Sequence, residues 1–572
     1  MMSRERPSLA AEWHQFRLLS RDSVRRLLNL AWFDPDADPA PTVLWLGALV
    51  TTPPTLMAFA RLFEYGFLRT VPTPVYDRTV LGHRLFFVTY AMLTVAMLTA
   101  VLWEALLPDR SDLEIVAPLA VRPRTIAAAR LAAASTLAVV FAAATSIPSA
   151  VLFGMVSASH RSAGSPWAIG GAHLLASTTG GLVVFCVLAS TRALLVWAAG
   201  TRFTDRLAFG LQLTMAAALV EGTIYLPSFQ PALAAQVAAE RGIVSPPAWA
   251  GAWYTWLAAP GHVAMPHAAT QGLAVLLGLV ALTVAASLVP AGTLARRALA
   301  SSPARPRARA IRWTLAPSAA ILRPVPAALW RFTLATLLRS SRHRLVLASY
   351  VGGGIALGSI GLVASWLRGT LDAGRPSEAV LAVPLALLFF GVVGLRAVFT
   401  MAATRDANWT FRLVPPDPGA AIAATRAALV AVGVLPVVAG TAAILAWLGW
   451  PSDTVWRVGA IDFGAGVALV NALLVAWRIV PFTCAWEPST STLRTRWAYF
   501  LFPCALYVLI GARVERVAIE STSATLALLA LVSTTALVSW RASSRTRANV
   551  SVAFEVDATD SLQTLDLSDA VR

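Results

Sequence analysis

The sequence predicts an all-α integral membrane protein of about 12 transmembrane helices, built as two six-helix repeats with both termini cytoplasmic. Three observations predict it. Of 572 residues, 57% are hydrophobic and only 13% are charged, where a soluble domain carries about 25% charge. The apolar residues fall in runs long enough for a hydrocarbon core that needs about 20 helical residues to cross. A polar stretch between two such runs, PDRSDLEIVAPLAVRPRTIAAARL (108–131), has a weaker echo 296 residues further on, TRDANWTFRLVPPDPGAAIAATRA (404–427). The shift pairs Ile126 with Ile422, Ala127 with Ala423, Ala128 with Ala424, Arg130 with Arg426 and Asp112 with Asn408.

Taken in order, residues 1–42 form a cytoplasmic N-terminal segment with no cleavable signal pattern. Within it, 11–33 reads as an amphipathic interfacial helix. Trp13, Phe16, Leu19, Val24, Leu27, Leu30 and Ala31 share one side at about 100° per residue; Arg17, Arg21, Asp22, Arg25 and Arg26 take the other. The first membrane unit, 43–290, contains spans at about 43–61, 84–107, 127–153, 168–198, 207–227 and 268–290. Pro53-Pro54 predicts a kink or an unwound turn inside the first of them. An Arg/Pro-rich linker, 291–343, ends in a second basic amphipathic stretch, LWRFTLATLLRSSRHRL. The second unit, 344–540, has spans at about 344–366, 379–400, 426–449, 462–483, 497–511 and 522–540, with Gly354 and Gly358 in the close-packing GxxxG spacing. A cytoplasmic tail, 541–572, contains an alternating stretch, SVAFEVDATD, that reads as a short strand or a partner contact.

The net charge is +17, and all 46 basic residues are arginine, since lysine is absent. The arginines lie between apolar runs rather than in one patch, so they read as topology signals and not as a nucleic-acid surface. Without lysine there is no Walker A loop and no Schiff-base chemistry. ATP, if used, is hydrolysed by another chain. Cys186, Cys484 and Cys504 show no CxxC spacing and read as small buried hydrophobes. The seven histidines form no metal-ligand pattern, and no GxSxG occurs, so neither a metal site nor a catalytic residue is expected.

The polar segments carry the functional signal. The first holds Asp109, Arg110, Asp112, Glu114, Arg122 and Arg124; the second holds Arg405, Asp406, Asn408, Arg412 and Asp417. Prolines bracket the first into a short helix with charged ends. The longest expected outside loop, 228–267, carries Trp249, Trp253, Tyr254 and Trp256, residues suited to a membrane–water interface. With Glu221, the deepest acid of the fifth span, they form a candidate external gate. Glu104, Arg192, Arg396, Asp462 and Arg478 lie near span ends, within reach of water.

At LLPDRSDLEIVAPLAVRPRTIAAARL, and again at SSRHRLVLASY followed by LRAVFTMAATRDANWTFRL, the chain resembles permease subunits of ABC transporters of the ABC-2, exporter-type class. The resemblance implies six spans per unit, an amphipathic helix before the first, and a coupling helix between spans two and three that docks on a cytoplasmic ABC ATPase. It also implies an external segment between spans five and six. In this chain two units are fused, so a full permease acting as an internal pseudo-dimer is implied, and a second permease copy is left open as a further partner. ATP and magnesium are expected in the partner ATPase and no cofactor in this chain. The expected location is the cell inner (plasma) membrane, and the chain itself is expected not to be an enzyme. Two other readings stand beside this one. A major-facilitator-type secondary transporter shares the six-plus-six plan and Asp109-Arg110, though not the family's loop glycines. A membrane glycosyltransferase would use acids such as Glu64 and Asp77.

Overall fold

The structure is a computed structural model that describes residues 9–28, 40–108, 110–116, 119, 121–157, 165–238, 246–258, 266–300, 323–372, 374–401, 411, 413–475, 477, 479–483 and 502–547. Every regular element among the described residues is helical. Contacts divide the chain into two compact units, 1–306 and 307–572. The centre of the linker and the alternating stretch of the tail lie outside the described residues, as do Arg478 and Cys484.

The first unit contains α1 (Leu9–Leu28), α2 (Ala40–Phe67), α3 (Thr73–Val101), α4 (Arg110–Val116), α5 (Pro123–Ser157), α6 (Pro166–Ala199), α7 (Thr201–Ala238), α8 (Pro246–Ala258), α9 (Pro266–Leu288) and α10 (Ala291–Ala300). Helix α3 is its centre. Leu85, Val88 and Val95 are fully buried, and α5, α6, α7 and α8 all pack against it. Close approach of α6 requires small residues: a Cβ on Gly181 would sit 2.8 Å from Val95 and one on Gly180 2.9 Å from Met92. Helix ends follow local chemistry. The Ser165 hydroxyl accepts from the Ala168 N–H before Pro166 opens α6, and Gly200 at φ 81° closes it.

The unwound turn expected at Pro53-Pro54 does not form; α2 runs through both prolines. Pro54 lacks the N–H that would bond the Val50 carbonyl, and the Tyr90 hydroxyl of α3 donates to that carbonyl instead, at 2.8 Å. A side chain from a neighbouring helix therefore satisfies the gap, as happens for prolines within membranes.

The second unit contains α11 (Pro324–Arg339), α12 (Ser341–Leu367), α13 (Glu378–Phe399), α14 (Pro418–Leu429), α15 (Leu435–Trp447), α16 (Ser452–Leu473), α17 (Gly511–Ile519) and α18 (Thr522–Arg547). A π turn, Val430–Val434, joins α14 to α15 where Pro436 interrupts the ladder. Another, Leu506–Ile510, leads into α17. The GxxxG pair does its expected work: Cβ atoms on Gly354 and Gly358 would come within 2.9 Å of Phe390 and Ala386 on α13.

Among the described residues, nine helices are long and apolar enough to cross a membrane: Thr73–Val101, Pro123–Ser157, Pro166–Ala199, Leu207–Ser228, His267–Arg297, Arg342–Leu367, Glu378–Phe399, Pro418–Trp447 and Thr522–Ser543. This is the fold of an all-α membrane protein. The expected tenth span, 462–483, is displaced. Its helix begins earlier, at Ser452, and stops at Leu473. Beyond it the chain turns back, Phe482 taking φ 67° and donating its N–H to the Phe399 carbonyl. Residues 511–519, in the gap expected between the eleventh and twelfth spans, are helical, and Glu515 within them is buried.

Candidate coupling and gate sites

The first polar segment is built into its unit by charge. Helix α1 packs its Ser23–Val24–Leu27 side on α5, where Leu27 joins Leu102, Leu106, Ala133, Ala134 and Ala138 in one buried cluster. Leu30 and Ala31, expected on the same face, lie outside the described residues. Across this contact Arg26 of α1 donates to the Asp112 carboxylate of α4 at 2.7 Å while also holding Asp22 at 2.7 Å. Arg130 of α5, itself buried, reaches the other Asp112 oxygen. Arg122 closes the arrangement from the opposite end by pairing with Glu12 at 2.6 Å. One short acid thus ties α1, α4 and α5 together, and α10 packs against α4 and α5 from the linker side. Between α1 and α5 a groove of about 550 Å³ is lined by Phe16, Ser20, Arg21, Arg25 and Thr136.

The predicted coupling residues therefore separate into two kinds. Asp112 faces inward as a strut, with its side chain 14% exposed. Glu114, Arg122 and Arg124 face outward, beside exposed Ile115 and Leu119. Asp109 lies outside the described residues, as does the Arg110 side chain. Sequence spacing could not separate the two kinds, because the partners of Asp112 come from 86 residues before it and 18 after it.

In the second segment Arg405, Asp406, Asn408 and Arg412 lie outside the described residues. Asp417 is exposed and caps α14, its carboxylate accepting from the Ala420 N–H at 2.9 Å. Asp417→Ala is expected to cost about 1 kcal/mol, the usual loss for an N-cap, and Asp417→Ser to restore most of it; thermal unfolding of the purified chain checks both.

The expected gate residues do not form one surface. Tyr254 and Trp249 are buried, Trp253 donates its indole N–H to the Ala269 carbonyl at 2.8 Å, and Trp256 is exposed. Glu221, on α7, is half-buried. Helix α8 is a packed wedge: a Cβ on Gly251 would strike Leu85 at 2.6 Å. The Tyr254 hydroxyl pairs with His173 Nδ1 at 3.1 Å, and His173 Nε2 with Ser149 Oγ at 3.1 Å. Ser149 in turn donates to the Ser146 carbonyl. Donors and acceptors match if Tyr254 donates to a neutral imidazole whose Nε2–H donates to Ser149. The Arg84 guanidinium lies 5.0 Å over the Tyr254 ring. Beside α8 opens an apolar cleft of about 650 Å³, lined by Trp253, Trp256 and Leu257 with Leu175 and Thr179 of α6 and Leu273 and Leu276 of α9.

Near this cluster Glu64 is fully engaged, by Arg61 and by His83 Nε2 at 3.5 Å. The His83 hydrogen bond lowers the Glu64 carboxyl from 4.5 to about 2, against the opposing effect of burial and with further help from Arg61. A depressed carboxyl stabilises the fold above its ordinary value and loses that contribution as pH falls through the depressed one. Acid titration of stability from pH 4.5 to 2 is therefore expected to be steeper for the natural chain than for Glu64→Gln. An acid so engaged is poorly placed to serve the glycosyltransferase reading.

Among the described residues no group of three or more His, Cys, Asp or Glu side chains is placed to hold a metal ion. Comparison with protein-family models, curated proteins and solved structures yields no match to this chain.

Proposed function

We propose that the chain is the membrane permease subunit of an ATP-driven, ABC-type exporter, energised by a separate cytoplasmic ATPase. The observation that carries the reading is α4. It is a short helix between two long apolar helices, braced from behind by Asp112 and presenting Glu114 and Ile115 outward, with Leu119 and Arg124 exposed just beyond it. Bracing of this kind lets a docking element transmit force, because a push on the outer face reaches α1 and α5 through ion pairs rather than through a loop. The permease resemblance and the absence of lysine, hence of a P-loop, support the same reading.

In this reading 12 spans form two six-helix repeats in the cell inner membrane with both termini cytoplasmic. Both units order their elements alike: a short helix, a long one, a long one, then the segment aligned on Arg130 and Arg426. The outward residues dock the ATPase, and the apolar cleft beside α8 belongs to the external, substrate-releasing side. ATP and magnesium belong to the partner.

Purification of the tagged chain from mild detergent is expected to bring down a stoichiometric P-loop ATPase with vanadate-sensitive activity. Ile115→Asp combined with Arg124→Glu is expected to reduce co-purification and stimulated ATPase activity severalfold. As an exposed pair it should change stability by only about 0.5 kcal/mol. Asp112 is unsuited to that test because its removal unsettles the fold. A chain that purifies alone, or a double variant with full stimulation, would turn the assignment to the secondary-transporter reading, which one feature of the second unit favours.

A further inference from the structure

That feature is a pair of buried acids. Asp462, at the middle of α16, is 0% exposed, and Glu515, at the middle of α17, is 1% exposed. None of their four carboxylate oxygens has a hydrogen-bond partner. The Tyr507 hydroxyl is buried and equally unpartnered; its ring rests on Phe389 at 5.8 Å. Tyr507, Gly511 and Glu515 recur every four residues through the π turn into α17 and so share a face. That face meets α13 and α16: a Cβ on Gly511 would lie 3.0 Å from Leu385. Glu515 feels the charge of Asp462, and Tyr507 feels both. Val458, Ile461, Leu381, Leu385 and Ala512 make the surroundings apolar.

The nearby charges are committed elsewhere. Arg513 and Arg516 of α17 hold Glu378 at the start of α13. Arg457 of α16 holds Asp453, the Ile519 carbonyl and Thr522. Arg396 of α13 donates to the Leu473 carbonyl and faces Trp477, Arg426 of α14 bonds Ser543, and Arg541 of α18 is exposed. Glu378, with two arginines, shows how this unit neutralises an acid when only structure is required. The Asp462–Glu515 pair has no such arrangement among the described residues. Two carboxylates cannot both stay charged and dry in apolar surroundings, and buried ionisable groups without partners are candidates for a functional site.

We propose that Asp462, Glu515 and the Tyr507 hydroxyl form an exchangeable-cation site, holding one monovalent cation between the two carboxylates, either a proton or Na⁺. The proposal does not depend on the ATPase reading; an ATP-driven permease with this site would be ion-sensitive, and a chain without an ATPase would be ion-driven.

The test uses the full-length protein in detergent and dicyclohexylcarbodiimide, an apolar reagent that adds to a carboxyl only while it carries a proton. Modified peptides are located by mass spectrometry in choline chloride and in NaCl. The expected result is severalfold more adduct on Asp462 or Glu515 than on solvent-exposed Glu378 in choline chloride. Adduct unchanged by NaCl assigns the site to a proton; adduct suppressed severalfold by NaCl assigns it to Na⁺. Adduct on neither acid in choline chloride, together with a thermal midpoint in which the Asp462→Asn/Glu515→Gln variant keeps the natural response to pH and to NaCl, would overturn the proposal. If that variant does not fold, Tyr507→Phe replaces it in the second measurement, with a weakened response expected.

Discussion

Asp112→Ala is expected to destabilise the first unit by about 3 kcal/mol, the lower end of the cost of breaking a buried ion pair from one side. The reason is the charge left behind. Arg130 is 8% exposed and takes its ion pair from Asp112. Arg26, half in solvent, can rehydrate and keeps Asp22, so its share is small. Replacing both buried partners, Asp112→Leu with Arg130→Met, removes the orphaned charge and should recover most of the loss. Thermal or chemical unfolding measures both variants against the natural chain. A single variant as stable as the natural chain would remove the strut role, and with it the reason to treat α4 as a braced docking element.

His173→Leu is expected to cost about 1–3 kcal/mol for the stranded Tyr254 hydroxyl alone. Tyr254→Phe strands His173 Nδ1 and should cost a similar amount. Combining them replaces both partners by apolar groups, so the double variant should be more stable than the two single losses predict. Ser149 retains its bond to the Ser146 carbonyl throughout, which keeps its contribution small. The cycle also tests what α8 does. Strong coupling between His173 and Tyr254 means that α8 is fastened to α6 and that any gating motion there must break this bond. Additive losses would release α8 to move independently of α6.

Much of the architecture is legible because it is local. An apolar run of helical length, a proline or serine at its start and a glycine at its end act within a few residues, so α5, α6, α13 and α18 can be placed by reading along the chain. The amphipathic helix before the first span and the close-packing glycines of α12 were equally readable, because one face of a helix is a matter of spacing alone. The helix of the tenth expected span was misplaced because hydropathy does not register a reversal made by a distant hydrogen bond, here Phe482 to Phe399. Hydropathy does not reveal helix α17, because its arginines and glutamate dominate a short window.

Site roles divide along the same line. That charges cluster between the second and third expected spans, and that aromatic residues cluster in 246–258, follows from sequence by inspection. Which charge is a strut and which faces outward does not. Asp112 and Glu114 are two residues apart and chemically alike, yet one is enclosed by arginines of α1 and α5 and the other is exposed. Asp462 reads from the sequence as a charge near a span end; only packing buries it together with Glu515 and sends Arg513 and Arg516 to Glu378. The class of fold follows from the order of residues alone, since transfer of apolar residues out of water depends on composition and period. The tertiary structure alone decided the partners of each buried polar group, because an ion pair or an orphaned carboxylate is defined by residues far apart in the chain and next to each other in space.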